Sequence, residues 1–370
     1  MNFIHKLDVD NQFDRLAFSQ SPSLAEFKKG DPTMRNLIAG ILGAAIAASA
    51  YPVWAGTLDD VKAKGFLTCG TNPATAGFSV PDNDGKWTGF VVDYCRAVAA
   101  GVLGDATKVK FIPLNAKDRF TALQSGEIDI LAHNATWTSS RDTSLGIIFA
   151  GTYFYDGQGF MVRKSENIQS AKGLDGASIC VSQGTTAELN LADYFRINGM
   201  TYSAVGFADE EAVIKAYEEG RCDVFSADTS SLNAARIRMT KPDENVVLPE
   251  IISKEPLGPA VRQGDDQWLN IAKWTLNVML AAEEFGITSK NVDEMKNSAD
   301  PNIRRLLGVE GSFGKDVGLR ETWSQDIIKQ VGNYSDVFER SIGKESPLKI
   351  ERGVNALWNA GGLQYAPPIR

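Results

Sequence analysis

Two histidines, His5 and His133, and four cysteines are all that this 370-residue chain offers a soft metal ion. The cysteines, Cys69, Cys95, Cys180 and Cys222, include no Cys-x-x-Cys pair, so no zinc cluster and no other metal or cofactor is expected. No long basic run relieves a net charge of −8 at pH 7, which argues against nucleic acid or an anionic membrane as partner. That balance leaves a small ligand open. Nor does any apolar run reach the ~18 residues of a membrane-crossing helix.

What is present is ordinary for a globular protein, with 43% hydrophobic and 23% charged residues. The length suffices for two domains of about 100–200 residues, each with its own core. The N-terminus departs from this character. Residues 1–33 are polar, mixed in charge and without periodicity, and read as a non-native upstream extension. Met34-Arg35-Asn36 then leads into an uncharged apolar run, residues 37–50, followed by Val53-Trp54-Ala55. A short basic start, an apolar stretch of roughly 7–15 residues and a small-residue site make up a secretory signal. Residues 34–55 are therefore expected to be a signal peptide cleaved after Ala55. The alternative, a buried Ala-rich helix, suffers from the lack of any polar face. An exported chain keeps disulfides, so two structural bridges are expected in preference to four buried thiols.

Leu58 opens a short helix that runs into the strand Phe66-Leu67-Thr68-Cys69. A loop rich in Gly, Pro, Asn and Thr follows, then a hairpin-like turn at Asp84-Gly85. Residues 90–102 read as an amphipathic helix, 109–113 as a strand, and 118–124 as a helix closed by Gly126. Such alternation predicts a wound, parallel α/β sheet. The pattern recurs. Gly126-Glu127-Ile128-Asp129-Ile130-Leu131 has a counterpart in Gly220-Arg221-Cys222-Asp223-Val224-Phe225, and Gly65–Cys69 one in Gly176–Cys180. Two similar lobes are expected, joined by the aromatic, glycine-broken stretch 151–164 and by a return through 251–262. Residues 268–285 predict a strong helix with Trp268, Ile271, Thr275, Val278 and Ala282 on one face. Beyond Gly286 come short helical pieces and turns without a catalytic constellation.

The stretch from Ala132 to Tyr153 carries the most chemistry. It follows the strand-like run 128–131 and gathers Asn, Thr and Ser side chains ahead of one fixed cation, Arg141. Donors leading to a guanidinium suit a planar carboxylate, which it holds by two parallel hydrogen bonds. The competing account is a polar loop with Arg141 solvated or paired to Asp142.

Four segments then act together: DRFTALQSGEIDIL at 118–131, TWTSSRDTSLGIIFAGTYFYDGQGFMVRK at 136–164, LDGASICVSQGTTAELNLADYF at 174–195 and GRCDVFSAD at 220–228. With them the chain resembles the periplasmic amino-acid-binding proteins of ABC importers (polar amino-acid solute-binding protein family 3). The resemblance covers residues 57–285, and the match to the general L-amino-acid-binding members runs on to the final APPIR. It implies an α/β periplasmic binding protein fold: two wound lobes, a hinge-linked cleft, and a mostly helical C-terminal extension. Lobe one is expected at 56–155 and 257–290, lobe two at 156–256, and an extension packed on the lobes at 291–370. Within such lobes, Cys69 would pair with Cys95 and Cys180 with Cys222, one of three possible connectivities.

The resemblance also implies a site. Arg141 matches the arginine that grips the ligand's α-carboxylate, and Asp228 the acid that pairs with its α-ammonium. Thr136 and Asn134 match polar contacts from lobe one; Gly184 and Thr186 match those from lobe two, with the Thr186 N–H and hydroxyl offered to an anion at a helix start. Arg119 matches a cation that receives a side-chain carboxylate in relatives specific for acidic amino acids. Those relatives carry a second arginine where this chain has Asn72, and covering aromatic rings where it has Thr75 and Ala116. A permissive pocket for glutamate, aspartate, glutamine and asparagine follows. Against this, Arg119 is alternatively a solvated helix residue paired with Asp118 or Glu127, His133 a core residue, and Trp137 a packing residue. The implied function is capture of an L-amino acid in the periplasm by a monomer and its delivery to membrane permease subunits. An enzyme on the same scaffold, a dehydratase or murein lyase, needs an acid or base beyond these residues. A sensor module is the third possibility.

Overall fold

The computed structural model describes residues 56–370. In chain order its strands are β1 (Leu67–Thr71), β2 (Val80–Pro81), β3 (Trp87–Thr88), β4 (Val109–Pro113), β5 (Ile130–Leu131), β6 (Ile147–Phe149) and β7 (Phe154–Asp156). Next come β8 (Gln158–Arg163), β9 (Ser178–Ser182), β10 (Ser203–Phe207), β11 (Val224–Asp228), β12 (Asn245–Val247), β13 (Glu255–Leu257) and β14 (Ala260–Arg262). Two five-stranded sheets result, ordered β4-β1-β5-β14-β6 and β10-β9-β11-β8-β12. In each, the first three strands run parallel and the fourth is antiparallel to its neighbours.

The helices that wind these sheets are α1 (Thr57–Lys64), α2 (Phe90–Leu103), α3 (Arg119–Ser125) and α4 (Ser139–Ser144) in the first lobe. The second lobe has α5 (Thr186–Ile197), α6 (Glu210–Glu218) and α7 (Thr229–Arg236). The long helix α8 (Asp266–Glu284) returns to the first lobe and buries the face read from its periodicity, Trp268, Ile271, Thr275, Val278 and Ala282 included. No helix among the described residues is long and apolar enough to cross a membrane.

The internal repeat has a hydrogen-bonded basis. Asp129 donates its N–H to Thr68 O at 2.9 Å, and its carboxylate accepts from Thr68 N at 2.7 Å. Asp223 treats Ser178 in the same way, at 2.9 Å for both bonds. One aspartate thus fixes the start of the neighbouring strand in each lobe. This register corrects the alignment by glycines: Cys69 faces Ile130 as Ile179 faces Val224, so Cys69 and Cys180 are not equivalent positions. The two bridges differ accordingly. Cys69–Cys95 ties β1 to α2, whereas Cys180–Cys222 ties β9 to the turn before β11, with Cα separations of 6.4 and 5.7 Å.

The chain crosses between lobes on β7 and returns on β13, which pair antiparallel with Asp156 opposite Glu255. The glycines that interrupt these segments are required by close approach. A Cβ on Gly258 would stand 2.1 Å from Gly151 O, and one on Gly157 2.2 Å from Ile251 Cγ2.

The C-terminal region shares the core of the first lobe. Trp323, Ile327, Tyr334 and Phe338 lie in the same apolar cluster as α2 and α8. Almost every residue of α2 is buried, because the sheet covers one face and residues 323–330 the other. The extension also grips the crossing segment: the Asn355 side chain accepts from Tyr155 N at 2.7 Å and donates to Tyr155 O at 2.9 Å. It therefore belongs with the first lobe.

Candidate functional site

The carboxyl ends of β1, β4 and β5 on one lobe and of β9, β10 and β11 on the other face a single cavity of about 370 Å³. In open α/β sheets this is where ligands bind, and the volume falls at the lower end of the ~300–1,000 Å³ of small-molecule sites.

Two guanidinium groups of the first lobe share one aromatic ring, Phe120. Arg119 opens α3 and is only 2% exposed; its Nη1 donates to His133 Nδ1 at 3.0 Å and to Asn134 O at 3.1 Å. It is neither solvated nor paired with Asp118 or Glu127. Since a guanidinium only donates, His133 Nδ1 accepts, and its proton sits on Nε2 facing Leu114 O at 3.2 Å. Burial, then Arg119, holds His133 well below its usual range, so the ring is neutral. Arg141 donates from Nη1 to Thr136 O at 3.0 Å and is buried, not bridged to Asp142, which accepts from Phe149 N. Both guanidiniums lie over the Phe120 ring, at 4.9 and 5.1 Å. Burial and then the Arg141 charge lower Arg119 to about 9, which leaves it cationic at neutral pH. Burial lowers Arg141 too.

Opposite them, Asp228 closes β11 and precedes α7 without a side-chain capping bond. Burial, then Asp156 and Glu255, pushes its carboxyl well above the usual range, while Arg119 and Arg141 oppose the shift. Asp156 is raised to about 6, chiefly by burial. Glu255 is 2% exposed and saturated with donors. Its Oε2 accepts from Thr136 Oγ1 at 2.5 Å and Thr186 Oγ1 at 2.9 Å; its Oε1 accepts from Asn190 at 2.7 Å and Ser253 at 2.5 Å. Arg119 on one wall and the Asp228 carboxyl on the other offer partners of opposite sign to a zwitterion.

The cavity brings together Asn72, Arg119, Asn134, Thr136, Thr186 and Asp228, with Ala116 beside them. Three other candidates lie outside its lining. Arg141 stands behind Thr136, while Thr75 is buried and bonded to Asn72 and Glu210. Gly184 adopts φ +74° and brings the lobes together, since a Cβ there would stand 3.2 Å from Lys117 Cα. The Thr186 hydroxyl is corrected as an anion donor: its hydrogen goes to Glu255, which leaves lone pairs for a cation and only the N–H for an anion. Asn72 and Thr75 are both bonded to Glu210 of the second lobe. Trp137 stacks on Phe149 at 5.9 Å, as a packing residue does. Glu210, Glu255 and Asp156 had no local signal beyond lying in or beside the crossing and cleft segments.

Comparison with known proteins settles the kinship. Residues 67–291 match the model of the bacterial extracellular solute-binding proteins, family 3. The chain belongs to this family. It is 58% identical to the general L-amino acid-binding periplasmic protein of Rhizobium johnstonii, over 91% of this chain and 100% of that one. It is 51% identical to the glutamate/glutamine/aspartate/asparagine-binding protein of Rhodobacter capsulatus, over 89% and 97%. Among solved structures, a periplasmic binding protein of an ABC transporter from Brucella ovis, with glutathione bound, superposes with a TM-score of 0.84 at 59% identity, covering 85% of this chain and 100% of that one. The two-lobed architecture is that of family 3, and the expectation of a solute-binding protein rather than an enzyme stands with it. The signal peptide at 34–55 and the extension at 1–33 lie outside the described residues.

Proposed function

We propose that this family 3 member captures free L-amino acids in the periplasm, with broad preference for acidic and amide side chains, and delivers them to the permease subunits of an ABC importer. The observation that carries this reading is the opposition of Arg119 on one lobe to Asp228 on the other across one cavity, with Arg141 held just behind the lining residue Thr136. An α-carboxylate takes the unshared donors of Arg141 and the Thr186 N–H. The α-ammonium takes Asp228 and the lone pairs of Thr136 and Thr186, whose hydrogens are committed to Glu255. Asn134, whose amide has no partner among the described residues, and Arg119 remain for the side chain.

The relatives support this range. Two of them bear amino-acid-binding names, and glutathione, held by the Brucella ovis protein, carries on its glutamyl residue the free ammonium and carboxylate of an amino acid. In this reading residues 56–155 and 257–290 move as one lobe, 156–256 as the other, and 291–370 travel with the first; a monomer suffices. The test is to denature the purified protein and identify released ligand by mass spectrometry. An L-amino acid or γ-glutamyl compound is expected. A ligand without a free α-amino acid group would overturn the reading.

A further inference from the structure

Strand order gives the cleft two ends. Thr136, Arg141 and Asp228 follow β5 and β11 in the middle of each sheet, whereas Asn72–Ala74, Ala116 and Asp209–Glu211 follow β1, β4 and β10 toward the edges. A ligand whose head meets the middle strands points its side chain at the edge strands. There Glu210 of the second lobe spans the cleft: its Oε2 accepts from Asn72 Nδ2 at 3.1 Å and from Thr75 Oγ1 at 2.9 Å. Both amide hydrogens of Asn72 are used, since it also donates to Thr75 Oγ1 at 2.8 Å, while its oxygen accepts from Ala74 N at 2.9 Å. No ion pair reaches Glu210 among the described residues. The nearby Arg238 is spent on Glu211 and on the Ala74 carbonyl. The other oxygen, Oε1, is buried without any donor among the described residues.

A buried acceptor with nothing to accept is costly unless a ligand supplies the donor. Resting on the amino-acid reading above, we infer that Glu210 is the side-chain selector of the cleft: it takes an N–H from the ligand and so favours carboxamides over carboxylates. A carboxamide gives its NH₂ to Glu210 and its oxygen to Arg119. A carboxylate gains Arg119 but meets a second anion in a desolvated site, where like charges repel most. Glutamine and glutamate have nearly the same shape, so the discrimination is one of charge and donor alone.

The test is calorimetric titration of the full chain and its Glu210→Gln variant with L-glutamine, L-glutamate and L-leucine. Removing the charge should shift the glutamate-to-glutamine affinity ratio about tenfold toward glutamate, with leucine changed less than about threefold. Glu210→Asp, which keeps the charge, should leave the order of the three ligands as in the wild type. Equal shifts for all three ligands in Glu210→Gln would mean that Glu210 only clasps the lobes, and would overturn the inference. So would a glutamate preference created by Glu210→Asp. If the wild-type protein bound none of the three, the amino-acid reading itself would fall.

Discussion

The hydroxyl oxygens of Thr136 and Thr186 stand 3.2 Å apart across the two lobes, and both donate to one oxygen of Glu255. Glu255 lies on the returning strand β13, so the crossing segment, the first lobe and the second lobe meet at one carboxylate. Four donors converge on it. A glutamine there presents an NH₂ to at least one of them, leaving a buried donor unpaired at a cost of about 1–3 kcal/mol. Glu255→Gln is expected to weaken every amino acid by a similar factor, roughly tenfold to a hundredfold. Calorimetry with glutamine, glutamate and leucine checks this. An effect confined to one ligand would show that Glu255 reads the side chain instead of organising closure.

Arg119 is expected to act on side chains. Arg119→Ala should weaken glutamate more than leucine, by about tenfold or more, because only the acidic ligand loses a charge pair. The variant also leaves His133 Nδ1 and Asn134 O without their donor, so a common loss for all ligands is superimposed. Titration separates the two contributions. Equal losses for glutamate and leucine would reduce Arg119 to a supporting residue.

Asp156 makes the ligand-free protein sensitive to pH. Its carboxyl rises from 3.8 to about 6, with burial the main cause, so the folded state holds a proton that the unfolded state releases between those values. Its destabilising contribution is absent below 3.8 and grows to at most about 3 kcal/mol above pH 6. Asp156→Asn should therefore change the unfolding temperature more favourably at alkaline than at acid pH. Thermal unfolding across pH measures it, and a pH-independent effect would contradict the assignment.

The bridges make a further prediction. Peptide mapping without reductant should recover Cys69 with Cys95 and Cys180 with Cys222, each within one lobe. Opening either should cost roughly 3–4 kcal/mol in the chain-entropy model. A Cys69–Cys180 peptide would refute both the pairing and free closure of the lobes.

The sheets were legible because their signals are local. Glycine ends a helix, alternation marks the strand, and the aspartates of the two repeated segments stand where the strand pairing needs them. The register was not legible: aligning Gly65 with Gly176 misplaces the strand by one residue, since the strand pairing and the Asp223–Ser178 bonds define it. Arg141 stood out as a lone cation among hydroxyls, but its role and that of Asp228 came from kinship. Glu255 and Glu210 stayed hidden because their partners are distant in the chain. Glu255 meets Thr136 across 119 residues, and Glu210 meets Asn72 across 138. No window of sequence contains either pair. The sequence reads the C-terminal region as an extension packed on the lobes; that Trp323 and Phe338 share the apolar cluster of the first lobe is again a matter of distant partners.

The measurement closest to the central claim compares L-glutamine with N-acetyl-L-glutamine by calorimetry. The two share side chain and carboxylate, but acetylation removes the positive charge that Asp228 is proposed to meet. Loss of one partner of a buried charge pair costs about 2–5 kcal/mol, so the acetylated compound should bind at least about thirtyfold more weakly, or not at all. Equal affinity for the two would contradict recognition of the amino-acid head between the lobes.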